Sequence, residues 1–310
     1  HLASHGYVIV SADHTGNARQ TILDGKLILY QRDQRTNSAE DRVPDMVFLL
    51  DRMLAWNRGA DSRFSGHLDA AAVAAAGMSF GSFTTVRVVD REPRFKASIP
   101  MSGIGLTHTN LTIPTLPMLG TKDRTLGPKG NELIRAYWER HQGPAFLLEL
   151  PNGGHYSFTD IFKLHPQFGD GAGEVFTPME DTYRIINAYS TAFLGVYLKN
   201  EPGYRGFLEK NHWPEILIWK PKNHRPATSS GSRGAPRPLR SGRCGAGFRR
   251  RIAHRVQRPL EPTGRRGIHR RGCVDTGGHA LLDGVFAAAQ GMGESVRACR
   301  AAYADHGRRT

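Results

Sequence analysis

Two rhythms of apolar residues run along positions 1–200: short continuous runs, and longer stretches with a period near 3.6. Tyr7-Val8-Ile9-Val10-Ser11-Ala12 is a run of the first kind after a glycine, which predicts a strand buried on both faces. Residues 18–41 are polar and irregular and yield no assignment. Met46, Leu49, Leu50, Met53 and Leu54 recur at helical spacing, predicting an amphipathic helix that begins near Pro44. The run Ala70–Ala76 predicts a strand, and 82–89 a helix directly after it. Further strands are predicted at 95–100, 115–120 and 145–150. A helix over 131–141 turns Leu133, Ile134, Tyr137 and Trp138 inward, and another carries Ile185, Ile186, Tyr189, Ala192, Phe193 and Val196. Between them, 156–180 is a long loop rich in Phe and Gly, a length that commonly covers a site. Strands alternating with helices imply an α/β fold with a mostly parallel sheet flanked by helices.

Composition divides the chain near residue 220. Residues 1–220 hold equal numbers of basic and acidic residues, and all four tryptophans lie there. Residues 221–310 hold 18 arginines and one lysine against five acidic residues, which accounts for the whole net charge of +14. The expected organisation is therefore a domain at 1–220 and an Arg/Gly/Ala/Pro-rich tail at 221–310. With few large apolar residues, the tail is expected to be mostly disordered, although Ala280–Ala304 has the makings of an alanine-rich helix. Cys244, Cys273 and Cys299 all fall in the tail and match no zinc or redox spacing. No apolar run approaches the length of a membrane span. The His and acidic residues do not recur at ligand spacings, so no metal or other cofactor is expected. Localisation and oligomeric state are not written in these residues.

The chemistry centres on Gly77-Met78-Ser79-Phe80-Gly81. A G-x-S-x-G between a predicted strand and a predicted helix has the context of a nucleophile elbow, a tight turn that presents the serine hydroxyl above the sheet. Acyl transfer through serine also needs a base, an acid that orients the base, and N–H donors for the developing oxyanion. In parallel α/β proteins such groups gather at the carboxyl ends of strands. Asp123 follows the strand at 115–120, in Gly120-Thr121-Lys122-Asp123-Arg124. His155 follows the strand at 145–150, in Pro151-Asn152-Gly153-Gly154-His155. Plainer readings stand beside these: a serine in a glycine-rich turn, a turn aspartate, one loop histidine among fourteen. Asp13 and His14 end a strand too and are the rival acid and base, or part of a pocket wall. The order Ser79, Asp123, His155, each just past its own strand, favours a Ser-His-Asp triad with the Phe80 N–H as oxyanion donor.

Four segments in order resemble one known family. Leu2–Asn17, Gly77–Phe83, Leu119–Asp123 and Gly153–Thr159 are similar to the fourth strand, nucleophile, acid and base segments of α/β-hydrolases in the dienelactone hydrolase and platelet-activating-factor acetylhydrolase-like group. The resemblance implies a serine esterase that cleaves a small-molecule carboxylic ester through an acyl-enzyme. Dienelactone hydrolases proper use cysteine, so Ser79 aligns the chain with the serine branch. Substrate-pocket candidates are Asp13, His14, Met78, Tyr156 and Phe158.

The resemblance also sets two expectations about the ends. The family's strand order is 1-2-4-3-5-6-7-8, and the chain opens just before the fourth strand, so the fold class expected is an incomplete α/β-hydrolase with its first three strands missing. Without the third strand and the loop that gives the second oxyanion donor, the chain is expected to fold poorly and to be nearly inactive. Beyond about Trp219 nothing resembles the family, and the Arg-rich composition is what GC-rich codons give out of frame. The competing function classes are a catalytically dead hydrolase-like scaffold and nucleic-acid binding through the basic tail. The second lacks regular RGG repeats and interleaved aromatics.

Overall fold

The computed structural model describes residues 1–18, 20–31, 35–59, 63–104, 112–163, 166–222 and 283–289. The chain runs β1 (Tyr7–Val10), β2 (Gln20–Leu23), β3 (Lys26–Leu29), α1 (Arg35–Arg58), β4 (Leu68–Met78), α2 (Phe80–Arg91) and β5 (Phe95–Met101). It continues through β6 (Met118–Gly120), α3 (Gly127–Arg140), β7 (Ala145–Leu150), α4 (Met179–Tyr197), α5 (Arg205–Leu208), β8 (Ile218–Lys222) and β9 (Asp283–Ala289). Seven strands form one sheet in the order β1-β9-β4-β5-β6-β7-β8. The neighbours β4, β5, β6 and β7 are parallel, while β9 is antiparallel to both β1 and β4, so β1 runs in the same direction as β4. β8 closes the other edge antiparallel to β7.

Alternation along the strands sorts the core onto two faces. Ala72, Ala74, Ala76 and Met78 of β4, with Phe146, Leu148 and Leu150 of β7, pack against Ile185, Tyr189, Ala192 and Phe193 of α4. Val73 and Ala75 face the other way, onto Val43, Met46, Leu50 and Leu54 of α1 and Val88 and Val89 of α2. Leu119 and Leu147 meet Ile134 and Tyr137 of α3 on that same side. Leu133, expected inward, is 40% exposed, because the buried stripe of α3 passes through Ile134 and Tyr137.

Three features depart from the expectations set by the sequence, the first in a separate two-stranded sheet. First, Gln20–Leu29 is a hairpin: Asp24 and Gly25 form its two-residue turn, both with positive φ (50° and 76°), the combination that matches the twist of paired strands. Second, α1 starts at Arg35, so Pro44 lies inside the helix, where its missing N–H leaves the Glu40 carbonyl without the usual partner. Third, the place between β1 and β4, expected to stand empty, is taken by β9. The tail segment expected to be helical is thus a strand over Asp283–Ala289. The rest of the tail, with the expected disorder and nucleic-acid binding, lies outside the described residues.

β8 is held by packing and charge together. Trp219 stacks on Phe146 (ring centroids 5.6 Å apart) and lies 4.1 Å from the Tyr189 ring, and its indole N–H donates to the Leu208 carbonyl at 2.9 Å. Glu149 of β7 is buried at 2% exposure and accepts from Lys220 Nζ at 2.6 Å and from Arg135 Nη2 at 2.7 Å. Burial alone would raise its carboxyl; the hydrogen bonds and charges of Arg135 and Lys220 outweigh that and hold it below the usual carboxylate range. A folded-state value below the unfolded one means stability present at neutral pH and lost as pH falls through the acid range. Glu149→Gln should therefore lower stability at pH 7 by about 1–3 kcal/mol, discounted because both cations are partly exposed. It should also flatten the acid limb of a urea-unfolding profile. A second expectation concerns β9: ending the chain at Lys222 would leave the facing edges of β1 and β4 unpaired. Thermal melts followed by circular dichroism should then lose their cooperative transition.

Candidate active site

β4 ends at Met78 and α2 begins at Phe80, so the chain turns at a single residue, Ser79. Its backbone is strained, with φ 56° and ψ −115°, outside the regions that non-glycine residues normally occupy. Neighbouring bonds hold it there: the Ser79 N–H donates to the Met101 carbonyl at 2.8 Å, and its own carbonyl receives the N–H groups of Ser82 and Phe83. Phe80 opens α2, so its N–H is among those a helix leaves without an internal partner.

Asp123 and His155 come to Ser79 from two other strand ends. His155 Nε2 is 2.8 Å from Ser79 Oγ, and His155 Nδ1 is 2.8 Å from Asp123 Oδ2. His155 and Asp123 are 1% and 4% exposed, while Ser79 is half-buried. The other Asp123 oxygen accepts the Leu126 N–H at 2.7 Å. A buried carboxylate is thereby satisfied on both oxygens, with Nδ1–H as the donor, which leaves a lone pair on Nε2 toward the serine.

The glycines around this line act at a place the sequence reading did not foresee. A Cβ on Gly120 would lie 2.4 Å from the carbonyl carbon and oxygen of Gly153, and one on Gly154 would lie 2.4 Å from the Gly171 nitrogen. They let the loop that carries His155 close onto the end of β6 and onto the 170 segment. Gly120→Ala is expected to cost about 1–3 kcal/mol by overpacking. Gly206→Ala, with nothing within 4 Å, should stay near neutral in the same denaturant titration.

The pocket candidates separate. Tyr156 lies beside His155, its ring edge-on to that imidazole at 4.8 Å and to Phe168 at 5.3 Å. Burial raises its phenol above the ordinary value, and the carboxylates of Asp170 and Asp123 add to the shift. Met78 and Phe158 are buried at 2% and 5% exposure in the core against α4, so they support the site from beneath. The rival pair goes elsewhere: His14 Nδ1 is 2.6 Å from Asp45 Oδ2, and Asp13 is exposed. Asp13 lines a cavity of about 450 Å³ with Asp41, Asp45, Phe48 and Leu49, and Ser79, Asp123 and His155 are not in its lining.

Two contributors carried no motif. The Arg42 guanidinium lies 4.2 Å from the centre of the Phe80 ring and also bonds Asn17 Oδ1, tying the loop after β1 to the residue after the serine. Asp170 accepts from the backbone just past Asp123. Among the described residues no group of three His, Cys, Asp or Glu is placed to hold a metal ion, and no helix is long and apolar enough to cross a membrane.

The profile of the PETase family, described as PET hydrolase-like, matches residues 1–163, which takes in all three of these side chains. The chain belongs to that family. Its relatives include Cutinase 1 of Thermobifida cellulosilytica, 27% identical over 209 residues, which are 67% of this chain and 64% of that protein. Cutinase of Thermobifida fusca (strain YX) is 27% identical, and Cutinase est2 of Thermobifida alba 26%; both matches cover 67% of this chain and 56% of the relative. The chain thus spans less than two thirds of the length of these relatives. Among solved structures, a ferulic acid esterase from Streptomyces cinnamoneus superposes with a TM-score of 0.53 at 22% identity, covering 67% of this chain and 63% of that one. That likeness is one of fold, the α/β-hydrolase fold. The resemblance to dienelactone hydrolase-like serine esterases is consistent with this family.

Proposed function

We propose that this chain, which matches the PET hydrolase-like family over residues 1–163, hydrolyses carboxylic esters through an acyl-enzyme on Ser79. The observation that carries the reading is the unbroken line of two 2.8 Å hydrogen bonds from Asp123 through His155 to Ser79 Oγ. Ser79 Oγ attacks the ester carbonyl carbon while its proton passes to His155 Nε2. Asp123 keeps the ring oriented and stabilises the imidazolium. The carbonyl oxygen takes the negative charge and meets the Phe80 N–H. Collapse of this intermediate breaks the bond to the alcohol oxygen, which leaves with the proton from Nε2. Water then repeats the sequence on the acyl-serine, releasing the carboxylic acid and restoring the serine hydroxyl.

The substrate proposed is an ester small enough to reach the half-buried serine, with Tyr156 as the aromatic wall nearest the base. The family's description, PET hydrolase-like, and its relatives' name, cutinase, bring the esters of PET and cutin within the same proposal.

Hydrolysis of p-nitrophenyl acetate and butyrate by the full chain tests the reading. Ser79→Ala and His155→Ala should abolish turnover above the buffer rate, and Asp123→Ala should lower kcat by about 10³–10⁴-fold. A fluorophosphonate should add its mass to Ser79 in the wild-type chain and leave Asp123→Ala labelled far more slowly. Turnover that survives Ser79→Ala would refute the proposal.

A further inference from the structure

The acid and the base sit on two different loops, and the single bond between Asp123 and His155 is not all that joins them. The Lys122 N–H donates to the Gly153 carbonyl at 2.8 Å, and a further link runs through Asp170, in the long segment between His155 and α4. Its Oδ2 accepts the N–H groups of Arg124 at 2.9 Å and Thr125 at 3.0 Å, and the Thr125 hydroxyl at 3.0 Å. These are the residues immediately after the acid. Its backbone carbonyl accepts the N–H of Tyr156, the residue immediately after the base, at 2.6 Å. One residue thus grips the acid turn with its side chain and the base loop with its main chain.

The neighbouring residue reinforces the grip. The Gly171 carbonyl accepts from Ser157 Oγ at 3.2 Å, and that hydroxyl accepts the Gly154 N–H at 2.9 Å. Gly171 has φ 125°, and a Cβ there would lie 2.5 Å from the Ser157 nitrogen. Asp170 Oδ1, by contrast, is buried without a hydrogen-bond partner. A half-satisfied carboxylate costs stability, which marks the three bonds on Oδ2 as the reason for an acceptor at this position.

We infer that Asp170 is a positioning residue for the reaction, an acceptor that braces the residues just past Asp123 against the residue just past His155, on the far side in sequence from the Gly120–Gly153 contact. This rests on the esterase reading given above. It acts through hydrogen-bond geometry, so the asparagine amide oxygen can replace it and a methyl group cannot. Loss of the brace lets the imidazole drift from Ser79 Oγ, and a displacement near 1 Å can cost about 10²-fold in rate. Binding of a small ester is expected to stay unchanged, since Asp170 acts on the two loops through the hydrogen bonds above.

The test is steady-state hydrolysis of p-nitrophenyl acetate by the full chain carrying Asp170→Ala, Asp170→Asn or Thr125→Val, beside wild type and Ser79→Ala. Asp170→Ala should lose about 10–100-fold in kcat with KM within about twofold. Asp170→Asn should retain about a third or more of kcat, and Thr125→Val, which removes one donor of three, should lose about two- to threefold. Equal losses in Asp170→Ala and Asp170→Asn, an unchanged kcat in Asp170→Ala, or a loss confined to KM would each overturn the inference. Should Asp170→Ala fail to fold, the Asp170→Asn and Thr125→Val arms decide alone, and a wild-type kcat in Thr125→Val counts against it. Wild-type turnover that depends on Ser79, together with an indifferent Asp170→Ala, sinks this inference and leaves the esterase reading standing. No Ser79-dependent turnover in wild type takes both down.

Discussion

No side chain fits between the ends of β6 and β7. Gly120 and Gly153 approach so closely that a Cβ on either would lie inside van der Waals contact with the other's backbone, at 2.4 Å and 3.0 Å respectively. That contact brings Asp123, three residues past Gly120, within 2.8 Å of His155. The remaining distance is large. β7 stands three places from β4 in the sheet, about 14 Å at ordinary strand spacing. Residues 151–154 can span most of it only if they cross the end of β6 tightly. The closeness of the two glycines is therefore what lets a histidine from one strand reach a serine on another.

Where burial imposed a pattern, the residues already announced the structure. The strand and helix of the elbow, the strands ending near Gly120 and Leu150, and the helix carrying Ile185–Val196 all present apolar positions at the spacing their faces require. The three residues of the site could be placed because each follows such a strand. The elements that went unassigned lack that pattern. The β2–β3 hairpin is largely exposed on both sides, so only Asp24-Gly25 betrays it. β8 reads Ile-Trp-Lys-Pro-Lys, with a proline that suits only an edge strand. Asp170 offers no spacing at all, because its role comes from folding a distant loop back over the acid turn.

The two strands that run against the others, β8 and β9, lie on either side of the parallel set β4–β7. Both come from beyond the last core helix. β8 brings an indole under the sheet and a lysine to a buried glutamate, so its attachment is partly electrostatic and sensitive to acid. β9 joins β1 to β4 through backbone pairing on both sides. The order of the sheet and the order of the chain therefore disagree beside the strand that leads into Ser79, where β4's neighbour is the last of the described strands in sequence.

The backbone angles at position 79 narrow the choice of reactive group. A φ of 56° with a ψ of −115° crowds any side chain with two heavy substituents on Cβ. Threonine, which carries the same hydroxyl, is thereby shut out by shape before its reactivity matters. Cysteine has the same single γ-substituent as serine and meets no such bar. A thioester route is open to this turn through Ser79→Cys, and a threonine route is closed.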